Sequence, residues 1–213
     1  MYVNPNPMIF DPSSPNAIFF AQTRDTLIDT EIYSRFVYSC ENNFRRSRFY
    51  KLYKSNIMNK GLNKDQFMAN ITSDMADLEL HHNFPTLKQA TIMIIEHLLN
   101  TKGQCTTFEV VRLLEEAHRN NWMGVIILSR TQHMVHESDP TSFISLAQCY
   151  GDPFKFIEHY IDGMTLDISF KLLLHLKLEG EYSNKSYSPN MVKAREQILS
   201  WRNNFGFDNT GLE

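Results

Sequence analysis

The chain has 213 residues, of which 42% are hydrophobic and 21% are charged, and its formal net charge at pH 7 is -3. This length suits one domain, or one domain with an appended lobe, around a buried core. The negative balance excludes nucleic-acid binding through bulk charge alone, so any such binding requires a local basic patch. Three cysteines without a CxxC spacing argue against a disulfide framework and against a thiolate metal site.

The same cysteine usage favours a reducing compartment, so we expect a cytoplasmic protein. The longest apolar run is far shorter than a membrane span, which predicts no membrane partner. The N-terminus has neither a basic flank nor an apolar core, so we expect no signal peptide.

Residues 1–24 are predicted to form a proline-rich arm. Proline removes a backbone donor and restricts the residue before it, which favours extended chain. Apolar side chains such as Ile9 and Phe10 give this arm enough area to dock on a protein partner. Its prolines are Pro5, Pro7, Pro12 and Pro15.

Residues 25–72 are predicted to be a helical region that contains a basic helix. Aromatic residues alternate there with cations, a composition that suits contact with the phosphate backbone of DNA. The alternative interpretation is a solvated helix face with inward-packed aromatics. A further short helix is expected from about residue 63 to residue 71. The cations, with no acid among them, are Arg45, Arg46, Arg48, Lys51 and Lys54.

Residues 73–140 contain two short apolar strands, each followed by a pair of histidines. The first strand, residues 75–80, precedes His81 and His82. The second, residues 122–128, turns into a helix that carries His133 and His136. We expect residues 78–82 to pair antiparallel with residues 125–128, with a helical insertion at residues 86–121 between them.

These four histidines predict a metal site, because neutral imidazole is the commonest metal ligand. Residues three apart on a helix share a face, so His133 and His136 can point at one ion. Three imidazoles with a free position are typical of an open, catalytic metal site. Three other histidines, His97, His118 and His175, are expected in structural or surface positions.

The segments Leu80-His-His-Asn-Phe-Pro85 and Ile127-Leu-Ser-Arg-Thr-Gln-His-Met-Val-His136 resemble the His-Asn-His (HNH) nuclease family, which has the ββα-metal fold. The resemblance implies that His81, His133 and His136 bind a divalent ion, which would be Zn²⁺, Mg²⁺, Mn²⁺ or Ni²⁺. It also implies that His82 is the general base and that DNA is the substrate.

Two departures from the family pattern leave alternatives open. The helical pair is His-x-x-His, whereas the family usually has three residues between its ligands, a spacing that Glu137 would satisfy from His133. The family's central Asn, which pins the loop before the second strand, has two candidates, Asn83 and Asn121. The resemblance covers about sixty residues in two blocks.

Residues 141–213 are predicted to be a C-terminal helical region, with helices starting near Pro153 and Pro189 and a buried helix over residues 166–178. The expected fold class is therefore α+β and mostly helical. A small ββα-metal-like unit with a long helical insertion is flanked by N- and C-terminal helices. The abundance of Asn, Phe and Lys is similar to that of bacteriophage proteins.

The predicted function is a metal-dependent endonuclease that hydrolyses DNA phosphodiester bonds. The first alternative is a non-enzymatic phage assembly or host-interaction protein whose metal site is structural or decayed. The second is a hydrolase with another substrate, because three histidines and a metal do not fix the substrate. In the third, all four histidines have ordinary structural roles.

Overall fold

The computed structural model describes residues 20–68, 70–138, 143–183 and 188–210, without the side chains of residues 137, 138, 182 and 183. Most of the predicted N-terminal arm, residues 1–19, lies outside the described residues. The described part has an α+β fold that is mostly helical, which confirms the predicted fold class. No described helix has the length and hydrophobicity needed to cross a membrane.

The described ranges contain eight helices and four strands. The strands are β1 (Gln22–Thr23), β2 (Leu78–Phe84), β3 (Gln104–Cys105) and β4 (Gly124–Ser129). The helices are α1 (Thr30–Arg46), α2 (Arg48–Asn59), α3 (Leu87–Lys102), α4 (Thr107–Arg119), α5 (Arg130–Ser138), α6 (Pro153–Tyr160), α7 (Leu166–Ser183) and α8 (Pro189–Asn204).

The prediction of one continuous basic helix is wrong. Ser47 has an extended backbone and its hydroxyl accepts a hydrogen bond from the Tyr50 amide, so it ends α1 and caps α2. Serine is a preferred N-cap because its oxygen satisfies one of the free amides of the first turn. Arg45 and Arg46 consequently end α1, whereas the other three cations lie on α2.

The short helix expected near residues 63–71 is also wrong for the described residues there. This segment is a loop, closed by an antiparallel bridge between Lys64 and Thr72. The buried Asp65 carboxylate accepts hydrogen bonds from the amides of Phe67, Met68 and Ser129. The carboxylate thus binds two amides of the loop and one amide at the end of β4. These hydrogen bonds hold the loop against β4, and no helix forms there.

The pairing of β2 with β4 is antiparallel, as predicted, with His81 opposite Ile126 and His82 opposite Val125. The extent of β2 differs from the prediction, because the strand runs through both histidines to Phe84 instead of ending before them. Successive side chains of a strand point to opposite faces. His81 and His82 therefore lie on different faces of the strand pair.

The insertion between these strands contains α3, β3 and α4. Thr86 and Thr106 each form a capping box, with Gln89 and Glu109 respectively. The end of α3 is capped by Gly103, whose φ of 73° lies in the left-handed region that glycine adopts without strain.

One hydrophobic core connects all these regions. It extends from Leu27 to Ile198 and includes Val125 and Ile127 of β4. The opposite face of β4 contributes Ile126 and Leu128 to a smaller apolar cluster. Because β4 is buried on both faces, it fixes the positions of β2, which pairs with it, and of α5, which follows it directly.

A histidine cleft as the candidate functional site

A cleft of about 640 Å³ lies on the His81 face of the strand pair. It is bordered by the end of α1, the start of α3, and helices α5 and α7. Five of the eight histidines line it, together with one acid and three cations. The lining histidines are His81, His82, His133, His136 and His175, and the charged residues are Glu41, Arg45, Lys88 and Lys171.

The structure brings together the three predicted ligand histidines. The ring centre of His81 lies 4.8 Å from that of His133 and 5.0 Å from that of His136, both in edge-to-face contact. Two imidazoles on one tetrahedral Zn²⁺, at about 2.0–2.1 Å from each nitrogen, have ring centres roughly 5 Å apart. The spacing of the rings therefore suits a shared ion.

The three histidines do not form a complete metal site in the described structure. Across the part of the chain that the structure describes, no three His, Cys, Asp or Glu side chains form a metal-holding group. Binding an ion would therefore require these side chains to move. That these three residues bind a metal stays a prediction.

Glu79 adds a feature that the sequence analysis missed. Its carboxylate lies 2.5 Å from Nδ1 of His133. Glu79 and His81 are two residues apart on β2 and share a face, so strand alternation could have identified it. A carboxylate that holds one ring nitrogen is the usual partner of a metal-binding histidine, whose other nitrogen coordinates the ion.

The protonation of the cleft also suits coordination. Burial, together with the neighbouring His133 and His136, lowers the pKa of His81 to about 3. Burial and the neighbouring His136 lower the pKa of His175 to about 4. Both imidazoles are therefore neutral near pH 7, which is the form that binds a metal.

His82, predicted to be the general base, borders the cleft, but its imidazole is not brought to those of the other three. It is 4% exposed and points into the core, where its Nε2 lies 2.8 Å from Nε2 of His118. The imidazole of a general base should face the ion on the same side as His81, but β2 continues through both residues and places them on opposite faces. Burial and the neighbouring His118 hold the pKa of His82 well below its usual value.

Of the other predicted site residues, Asn83 borders the cleft and Asn121 does not. The Asn83 side chain donates to the Ile144 carbonyl at 2.9 Å, and so holds the segment after α5. Asn121 has a φ of 55° in the turn before β4, and its carbonyl accepts a hydrogen bond from the Asp152 amide at 2.6 Å. Glu137 is in the last turn of α5, but its side chain lies outside the described part.

The five predicted DNA-binding cations do not form one surface patch around the cleft. Arg45 lines the cleft, whereas Lys51 and Lys54 line a separate depression of about 520 Å³. Arg46 and Arg48 are exposed beside the junction of α1 and α2. Contact of these residues with DNA stays a prediction.

The fold and the cleft define a mostly helical α+β protein with a clustered-histidine site built on two antiparallel strands and the following helix. Residues 15–204 match the profile of the bacteriophage G278-like virion protein family, and the chain belongs to that family. This match confirms the predicted phage origin but gives no support to the HNH resemblance. Comparisons with curated proteins and with solved structures gave no match.

Proposed function

We propose that this chain is a structural, non-enzymatic component of the phage particle. The observation that carries the proposal is the family match, which runs from residue 15 to residue 204. That range includes the whole core and every residue that lines the histidine cleft. The likeness to virion proteins therefore concerns the complete fold and not an appended segment.

The position of His82 supports a non-enzymatic role. A general base must come within hydrogen-bond reach of the proton that it removes. His82 instead contacts His118 inside the core. The formal net charge of -3 also gives no general attraction to DNA.

Such a protein is synthesised in the host cytoplasm and is then assembled into particles. Its partners are then other proteins of the particle, and the N-terminal arm is one segment that can contact them. Reduced cysteines suit the cytoplasmic stage, since the described structure has Cys40, Cys105 and Cys149 as free thiols.

The test is to purify particles through a density gradient and to measure this chain in each fraction by quantitative mass spectrometry. We expect a constant number of copies per packaged genome across the particle peak. An abundant host cytosolic protein is the control and should be lost during purification. Recovery of the chain only in the soluble lysate would contradict the proposal.

The histidine cleft is included in this proposal as a metal centre. His81, His133 and His136 would hold the ion, with Glu79 orienting His133. An imidazole donor set favours Zn²⁺ or Ni²⁺ over Mg²⁺, which prefers oxygen ligands. In a structural role the ion would connect β2 to α5.

A second candidate function is metal-dependent hydrolysis of DNA, favoured by the gathering of His81, His133 and His136 beside Arg45. Its test is nicking of supercoiled plasmid with added Mg²⁺, Mn²⁺, Ni²⁺ or Zn²⁺, comparing the wild type with His81→Ala. Cleavage that requires both the metal and His81 would establish this function. If both proteins nick the plasmid equally, and the added metal makes no difference, this function would be excluded.

A further inference from the structure

Helix α7 has an apolar stripe along its exposed face. Leu166, Phe170 and Leu174 follow one another at intervals of four residues, so they form one ridge on the helix surface. Their exposed fractions are 45%, 48% and 42%, although the opposite face of α7 is buried in the core. A contiguous apolar patch on a surface marks a site of contact with another molecule, whereas single exposed apolar residues are ordinary.

The spacing of the stripe is the one that helix pairs use. A ridge of side chains four residues apart fits beside the same kind of ridge on a second helix, which is the commonest class of helix packing. The phenylalanine at its centre, Phe170, adds a large apolar surface. The stripe therefore suits the apolar face of another helix, and the charged residues beside it indicate which helix that is.

The charges beside the stripe are balanced. Asp167 and Lys171 lie on the same side of it and form an ion pair, with an oxygen-to-nitrogen distance of 2.7 Å. The other exposed charged residues in the described part of α7 are Lys177 and Glu181, again one base and one acid. A strongly charged partner such as DNA would meet no net attraction on this face.

Two-fold symmetry makes this face complementary to itself. If a second α7 lies antiparallel to the first, with both Phe170 rings at the symmetry axis, Leu166 of each copy is opposite Leu174 of the other. A two-fold interface also brings the same side of both stripes together. Each Asp167 then comes within about 3 Å, measured along the helix axis, of Lys171 of the other copy.

We propose that the exposed face of α7 is the interface of a homodimer, in which two antiparallel copies of this helix pack about Phe170. The stripe occupies about three turns of one helix, so the interface is small. Interfaces that bury less than about 1,200 Å² are typical of transient association, and we expect a reversible dimer that accumulates with concentration. The dimer does not need the ion of the proposed metal centre.

The first test is sedimentation velocity of the full-length chain over a series of concentrations. The wild type should shift from monomer to dimer as its concentration rises, and Phe170→Asp should lose this shift. Phe108→Asp is the matched control, because Phe108 is a phenylalanine of α4 with an exposed fraction of 54%. A wild type that stays monomeric throughout, or a Phe170→Asp variant that dimerises like the wild type, would overturn the proposal.

The second test exchanges the charges beside the stripe. Asp167→Lys places four lysines at the symmetry axis of its own dimer, and Lys171→Asp places four aspartates there. Both positions are exposed, with side-chain exposures of 70% for Asp167 and 56% for Lys171, so both variants should fold. Repulsion between like charges should keep each variant monomeric by itself.

A mixture of the two variants should form a 1:1 heterodimer, because each lysine pair then meets an aspartate pair. Native mass spectrometry distinguishes the heterodimer from either homodimer by mass. A heterodimer found only in the mixture would establish the antiparallel pairing, since the ion pair within one chain is absent from both variants. Dimers of each variant alone at the wild-type level, or a mixture that stays monomeric, would overturn it.

Discussion

His82 and His118 form a buried hydrogen bond whose direction is fixed by a third group. The Nδ1 atom of His118 lies 2.6 Å from the Leu114 carbonyl and must donate to it. A neutral His118 therefore accepts at Nε2, so His82 donates through its own Nε2 at 2.8 Å. Nδ1 of His82 is then an acceptor, and it is buried with no partner among the residues described.

This pair predicts acid-sensitive stability. Burial lowers the pKa of His118 to about 4, whereas an unfolded histidine has a pKa of about 6.5. Between about pH 6.5 and pH 4, His118 therefore binds a proton in the unfolded chain but not in the folded chain. The contribution of neutral His118 to the free energy of unfolding is fully present above about pH 6.5. It is lost as the pH falls towards 4, a loss of about 3 kcal/mol for this one group.

The substitution His118→Gln tests that origin. A Gln amide oxygen can accept the hydrogen bond from His82, but the side chain does not titrate. The decline in the free energy of urea unfolding between pH 6.5 and pH 4 should be about 3 kcal/mol smaller in this variant. His159→Gln, at an exposed position, is the control. An unchanged decline in His118→Gln would show that other groups cause the acid sensitivity.

A second prediction concerns Glu79, whose carboxylate contacts His133. In Glu79→Gln the ring of His133 loses its charged partner, and the affinity for Zn²⁺ should fall about 10–100-fold. Isothermal titration calorimetry would measure this. Glu116→Gln, which removes a carboxylate from an exposed pair with Arg112, should leave the affinity unchanged. Equal affinities for both variants would remove Glu79 from the centre.

A third prediction concerns the cations at the junction of α1 and α2. If Arg45, Arg46 and Arg48 bind phosphates, their joint replacement by Ala should flatten the salt dependence of binding to duplex DNA. The logarithmic slope should change by about 0.9 for each phosphate that the variant no longer neutralises. Fluorescence anisotropy over a series of salt concentrations provides the slope.

The control for this measurement replaces three cations on α6 and α8, namely Lys155, Lys193 and Arg195. The control slope should equal that of the wild type. If the junction variant also keeps the wild-type slope, these cations belong to an ordinary solvated face. That result would leave the structural role in the particle unaffected.

The sequence predicted the strand pair because its apolar runs are short and flanked by clear turn signals. It placed the end of β2 too early, since the histidine pair has no strand propensity of its own. Pairing with β4 and burial in the core extend the strand to Phe84. Because the strand continues through His82, the imidazole of His82 lies on the opposite face from the three clustered histidines.

Helix starts with a strong local signal were predicted well, as at Pro153 and Pro189. The break at Ser47 also had a local signal, a preferred N-cap residue, but the continuous aromatic and basic pattern concealed it. His175 and His118 had no such signal. Their partners come from elements that are distant in sequence, so only the tertiary structure brings them to the cleft and to the core.

We propose that this chain is a structural protein of the phage particle and that its histidine cleft holds a metal ion. The most direct measurement is the zinc content of the chain isolated from gradient-purified particles, by elemental mass spectrometry calibrated to its molar amount. We expect one ion per chain, and loss of that ion in particles that carry His81→Ala. A metal-free chain from wild-type particles would contradict the metal centre, and absence of the chain from particles would contradict the structural role.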